Sequence, residues 1–96
     1  MGNSLIRIAL LGSTGSIGVQ TLDVVRSLEN RFEVVALAAG QNLRLLHEQA
    51  REFKPRWIWA AAGNHDLPRL QEIADKSNAT IATMDDIAAN PEVDLL

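Results

Sequence analysis

Gly12, Gly15 and Gly18 recur at intervals of three in the run Gly12-Ser13-Thr14-Gly15-Ser16-Ile17-Gly18. A glycine has no Cβ, so the chain can turn sharply there and an anion can approach the backbone N–H groups. Ser13, Thr14 and Ser16 add hydroxyl donors in the same place. A donor cluster that opens a helix suits a bulky dianion such as a pyrophosphate, because free N–H groups and the positive end of the helix dipole converge on it. The three glycines divide the work: Gly12 for the turn, Gly15 for close approach of the phosphate, Gly18 for packing of the helix on the strand. The spacing is GxxGxxG rather than GxGxxG, and a glycine triplet carries weight only if a strand precedes it and a helix follows.

A second candidate cluster is Gly40-Gln41-Asn42, with Arg44 two residues on. Where a dinucleotide is NAD, an acid at the end of the second strand holds the ribose 2′-hydroxyl. Here that stretch reads Ala38-Ala39-Gly40-Gln41-Asn42, without an acid. A carboxylate would repel a 2′-phosphate, so its absence admits NADP. Gln41 and Asn42 offer amide donors, and Arg44 either adds a positive charge or is an ordinary exposed helix residue. His47, His65 and the pair Asp85 and Asp86 are also of reactive types, but no third ligand stands near them in sequence. The histidines read as surface residues, and the aspartates as the cap and start of a short helix.

The elements that must position these residues alternate. Leu5 to Leu11 is nearly continuous in apolar residues, as in a strand buried on both faces. After the glycine run, Ile17, Val24, Val25 and Leu28 fall at helical spacing, with Asp23, Arg26 and Glu29 between them. Glu33 to Ala38 reads as a second strand. Asn42 can cap a helix that places Leu43, Leu46, Ala50 and Phe53 on one face, with Pro55 beyond its end. Trp57 to Ala61 reads as a third strand and an expected sheet edge, with Trp57 and Trp59 on one face, which either packs under a helix, the favoured reading, or forms an exposed contact patch. Asp66 can cap a helix with Pro68 in its first turn, and Leu70, Ile73 and Ala74 facing inward. Thr80 to Thr83 is a short fourth strand, Asp85 caps a turn from Asp86 to Ala89, and Val93 to Leu96 opens a fifth strand. This order predicts an α/β fold of Rossmann type: a doubly wound parallel sheet in three α/β/α layers, with the first strand at its centre. All 96 residues read as one nucleotide-binding domain, and because the chain stops as a strand opens, a C-terminally truncated piece is expected.

Composition bounds the alternatives. The net charge of −3 gives no basic face for nucleic acid. With no cysteine in the sequence, disulfides, thiolate nucleophiles and Cys-based zinc sites are excluded. No apolar run approaches the roughly 18 residues that span a bilayer, and the N-terminus lacks a signal-peptide layout, so a cytoplasmic protein is expected.

Leu10 to Gly18, then Gln20-Thr21-Leu22-Asp23-Val24-Val25-Arg26 and Phe32 to Asn42, resemble the opening of the 1-deoxy-D-xylulose 5-phosphate reductoisomerases. Glu48-Gln49, Phe53-Lys54-Pro55 and Pro91-Glu92-Val93-Asp94 resemble the family as well. The likeness is strong over residues 5 to 55 and looser from 56 to 90. It implies rearrangement of 1-deoxy-D-xylulose 5-phosphate and reduction by NADPH to 2-C-methyl-D-erythritol 4-phosphate, in non-mevalonate isoprenoid synthesis. It further implies a divalent metal, Mg²⁺ or Mn²⁺, and a homodimer. Nucleotide contacts carry over to Thr14, Gly15, Ser16 and Ile17, and to Gly40, Gln41 and Asn42. The family's metal ligands, substrate phosphate site and mobile loop would lie beyond Leu96, so no catalytic or metal residue is expected here, and the piece is expected to be inactive alone. The family often carries Lys or Arg where this sequence has Gln41, and a neutral amide there weakens the hold on the 2′-phosphate unless Arg44 compensates. Two other classes compete. A short-chain or epimerase-type enzyme would need a Tyr-x-x-x-Lys pair, and this chain has no tyrosine. A nucleotide-sensing module without chemistry would need an effector domain, and none is visible.

Overall fold

A computed structural model describes residues 6–28, 30–61, 66–91 and 93–95. Expectations that fall on Leu5, Glu29, His65, Glu92 and Leu96 lie outside the described residues. The chain order is β1 (Ile6–Leu11), α1 (Ser16–Ser27), β2 (Phe32–Ala39), α2 (Leu43–Phe53), β3 (Trp57–Ala60), α3 (Leu67–Ser77), β4 (Thr80–Ile81), α4 (Met84–Ala88) and β5 (Asp94–Leu95).

Among the described residues the strands form one five-stranded sheet in the order β4-β3-β2-β1-β5, and every pairing is parallel. The chain steps from β1 to β4 in one direction and then returns past three strands to β5. Right-handed crossovers therefore put α1, α2 and α3 on one face and α4 on the other. The alternation along the strands agrees. Ile8, Leu10, Ile58 and Ala60 point into a core with Leu22, Val25, Leu43, Leu46, Leu70 and Ile73. Ala9 and Ala36 point the other way, towards Ile87, with Trp57 and Trp59 half-buried beside them. Each fully buried aliphatic side chain of the first face, such as Leu22, Leu37 or Leu46, contributes roughly 2 kcal/mol. That face, with three helices on it, carries most of the stability.

Several expectations change. The first strand is not central among the described residues: β2 holds the middle, because three crossovers run the same way before the single reversal. The third strand is not an edge, because β4 pairs outside it, Trp57 with Thr80 and Ile58 with Ile81. The register slips between Ile8 and Ala9, which pair with Val34 and Ala36, so Val35 is an extra residue in β2. That bulge puts Val34 and Leu37 on one face, which a strict two-residue alternation would not do.

The buried face of α1 also differs. Gly18, Leu22 and Val25 are buried, whereas Ile17 is 79% exposed and Val24 and Leu28 are exposed as well. Of the four residues that the spacing assigned to the core, only Val25 lies in it.

The caps are mostly as expected. The side chain of Asn42 accepts from Leu45 N–H at 3.1 Å, and α2 ends on Lys54 in the left-handed region (φ 49°), just before Pro55. Asp66 occupies the N-cap position of α3 but makes no capping bond. The cap of α4 is Thr83, which accepts from Asp86 N–H at 3.1 Å. Asp85 and Asp86 therefore sit inside the first turn of that helix, rather than Asp85 before it. Trp57 packs beside Ile87, Ala82 and Asn90, under α4 as anticipated. Among the described residues no helix is long and apolar enough to cross a membrane.

Candidate functional site

Parallel strands end at the same side of a sheet, so the loops after β1 and β2 are neighbours. The pairing of Leu11 with Ala38 sets the two loops side by side, and Ser13 N–H donates to Ala38 O at 3.0 Å. β1 has β2 on one side and β5 on the other, with Ala9 opposite Leu95. The loop after β1 therefore opens where the strand order reverses, the place at which ligands bind in open α/β sheets.

Each glycine of the loop now has a separate reason. Gly12 has φ +68°, a conformation that side-chain-bearing residues rarely adopt. A Cβ on Gly18 would fall 2.2 Å from Gly12 O and 2.8 Å from Ser13 Cα, so any larger residue would push α1 off the turn. Gly15 is different. Its φ is −80°, and a Cβ would meet only Gly12 O at 3.5 Å, an ordinary contact. Nothing in the fold requires glycine at position 15, which is exposed.

Gly15 is the N-cap of α1 and no side chain caps that helix. Its carbonyl accepts from Val19 N–H at 2.9 Å, which starts the helical ladder. The first turn, Ser16-Ile17-Gly18, contains no acid. Its N–H groups have no intrahelical partner and keep the positive end of the dipole unneutralised. Thr14 is half-buried, and Ser16 and Ile17 are exposed at the mouth. Ser13 is fully buried, and its hydroxyl has no hydrogen-bond partner among the described residues. With its backbone N–H bonded to Ala38 O as well, Ser13 is turned into the protein and does not present the hydroxyl donor that the sequence suggested.

Gly40, Gln41 and Asn42 are exposed beside the loop. Asn42 spends its carbonyl oxygen on the α2 cap, and its Nδ2 donor has no partner among the described residues. Arg44, exposed in the first turn of α2, makes no ion pair among the described residues. No carboxylate ends β2.

Two interactions behind the site were not anticipated. Gln49, only 4% exposed on the inner face of α2, donates from Nε2 to Ser13 O at 2.7 Å. Its signal was present in the sequence: a polar residue three positions after Leu46, inside the apolar stripe of α2. The second is a clamp between helices. Arg26 of α1 pairs through Nε and Nη2 with both carboxylate oxygens of Glu52 on α2, bonds Asp23, and lies over the Phe53 ring at 5.2 Å. The hydrogen bond from Arg26 holds the Glu52 carboxyl below its ordinary range, against a smaller opposing effect of burial. The carboxylate of Glu52 in turn raises Arg26 further.

His47 is half-buried on α2. Among the described residues no group of three or more His, Cys, Asp or Glu side chains gathers as metal ligands.

A model of the 1-deoxy-D-xylulose 5-phosphate reductoisomerase family matches residues 8–95. The reductoisomerase of Pelotomaculum thermopropionicum is 44% identical over 94 residues, covering 93% of this chain and 24% of the relative. That of Anaeromyxobacter dehalogenans is 66% identical over 52 residues, covering 54% of this chain and 13% of the relative. A crystal structure of DOX-P reductoisomerase with NADPH, fosmidomycin and magnesium superposes with a TM-score of 0.81 at 28% identity, over 95% of this chain and 24% of the other. The Zymomonas mobilis enzyme with NADPH gives a TM-score of 0.74 at 28% identity, over 91% of this chain and 23% of the other. The chain thus spans about a quarter of the length of these relatives. Matched along nearly all of its own length, the chain belongs to the 1-deoxy-D-xylulose 5-phosphate reductoisomerase family.

Proposed function

We infer that this chain is the NADPH-binding portion of a 1-deoxy-D-xylulose 5-phosphate reductoisomerase, with the nucleotide lying across the loops after β1 and β2. The observation that carries the reading is Gly15. Gly12 and Gly18 are demanded by the fold, whereas Gly15 has room for a side chain within the protein and faces out at an uncapped helix start. An open glycine there leaves space for a phosphate against the backbone.

The residues fit the group. The pyrophosphate sits against Thr14, Gly15, Ser16 and Ile17, with the Ile17 side chain offering apolar surface at the mouth. The adenosine ribose and its 2′-phosphate lie beside Gly40, Gln41 and Asn42, within reach of Arg44. The absence of a carboxylate at the end of β2 removes the repulsion that would exclude a 2′-phosphate. The bound nucleotide supplies a hydride. This chain holds the pyrophosphate, orients the dinucleotide along the strand ends and selects the phosphorylated form.

The same reading assigns the whole protein the family reaction on 1-deoxy-D-xylulose 5-phosphate, with Mg²⁺ or Mn²⁺, as a cytoplasmic homodimer. One solved relative holds NADPH and magnesium together, which supports the pairing of nucleotide and metal. No metal step is placed on the described residues, which gather no ligand set.

Backbone amide resonances followed during NADPH titration test the site. Shifts concentrated at residues 12–18 and 40–44 are expected. Shifts confined to the opposite end of the strands, around Phe32 and Arg56, would overturn the placement.

A further inference from the structure

We propose that Gln49 is a positioning residue for nucleotide binding: from inside α2 it fixes the orientation of the Ser13–Thr14 peptide and so aims the Thr14 N–H at the phosphate. The proposal rests on the nucleotide reading given above. Ser13 is held on both sides of its backbone, its N–H by Ala38 O at 3.0 Å and its carbonyl by Gln49 Nε2 at 2.7 Å. The peptide that follows is planar and trans, so its C=O and N–H point in opposite directions. A carbonyl anchored inward on a buried amide forces the Thr14 N–H outward. Without that anchor the peptide could turn over about the Ser13 ψ and Thr14 φ bonds, the two soft torsions on either side of it.

The residue type follows from the geometry. The partner is a carbonyl, so the side chain must donate, which also fixes which end of the Gln49 amide faces Ser13. Burial excludes a bare ammonium, because its charge would lose hydration without a counter-ion. Glutamate would set one acceptor against another. A neutral amide on a three-bond stem meets both demands from the second turn of α2. The anchor also joins the two halves of the site, because α2 is the helix that Asn42 caps and that carries Arg44.

The test compares the wild-type chain with Q49M, which keeps the volume and loses the donor. Q49M is expected to weaken NADPH binding by about tenfold, the scale of one hydrogen bond to a charged group. Adenosine 2′-monophosphate, which has no pyrophosphate, should keep its affinity within about twofold, on the same scale. A parallel loss for both ligands, or unchanged NADPH affinity, would overturn the proposal. The Thr14 amide resonance without ligand is a separate readout: it should move in Q49M, and an unmoved resonance would overturn the proposal. If the wild-type chain bound neither ligand, the nucleotide reading would fall, and the Thr14 resonance would still decide whether Gln49 orients the loop. Should Q49M not fold, Q49E decides. Its carboxyl donates to Ser13 O when protonated and repels it when ionised, so its NADPH affinity relative to wild type should recover as the pH falls. A ratio that does not vary with pH would overturn the proposal.

Discussion

A Cβ on Gly18 would lie 2.2 Å from the carbonyl oxygen of Gly12, so the first turn of α1 rests directly on the turn that ends β1. The contact is backbone against backbone, and no flexible side chain can yield. G18A should therefore destabilise the fold by about 1–3 kcal/mol, the range for overpacking at a closed site. Urea unfolding of the two proteins measures this. Equal midpoints would show that α1 can shift away freely.

G15A separates binding from folding. Its new methyl meets only Gly12 O at 3.5 Å, and its φ of −80° suits any residue. Its unfolding midpoint should match the wild type, while NADPH affinity falls at least about tenfold, the scale of one or two charge-assisted hydrogen bonds. Unchanged affinity would remove the main support for the phosphate site.

Glu52 gives the clamp between α1 and α2 a pH dependence of definite sign. Its pKa is lowered in the folded state by the hydrogen bond from Arg26, relative to an ordinary value of 4.5. The stabilisation is therefore fully present above that ordinary value and is lost as the pH falls through the lowered one. Both side chains are more than 40% exposed, so solvent screening limits the effect to about 1 kcal/mol or less. E52Q should lower stability slightly at neutral pH and flatten the acid limb of the stability curve below the Glu range. An acid limb identical to that of the wild type would contradict the assignment.

Arg44 carries the charge that Gln41 lacks. R44A should weaken NADPH by roughly two- to fivefold, as expected for an exposed ion pair, and leave NADH unchanged. The difference should shrink at high salt. Equal losses for both nucleotides would place Arg44 away from the 2′-phosphate.

The glycine loop was legible in the sequence because its residue types report backbone demands directly. Gly12 marks a positive φ, and Gly18 a close approach. The strand–helix alternation followed from apolar runs and breaks. Less local features did not. The face of α1 was misassigned because Ile17, Val24 and Leu28 satisfy helical spacing on the exposed side, whereas the helix turns Gly18, Leu22 and Val25 to the sheet. The bulge at Val35 leaves no mark in an all-apolar strand. Pairing of β4 outside β3 rests on two residues, Thr80 and Ile81, too few for a pattern. Asp85 was expected to cap α4, but Thr83, expected to end the fourth strand, caps it instead, because that strand stops at Ile81. Gln49 stood in plain view within an apolar stripe, but its partner is a carbonyl 36 residues away.

Calorimetric titration with NADPH, and with NADH at the same salt, bears most directly on the central claim. NADPH should bind with one site, and NADH clearly more weakly, since the loops after β1 and β2 offer donors and Arg44 but no carboxylate. Equal binding of the two would contradict the selection of the 2′-phosphate by Gln41, Asn42 and Arg44. Binding of neither would contradict the assignment of the loop between Gly12 and Gly18 as a nucleotide site.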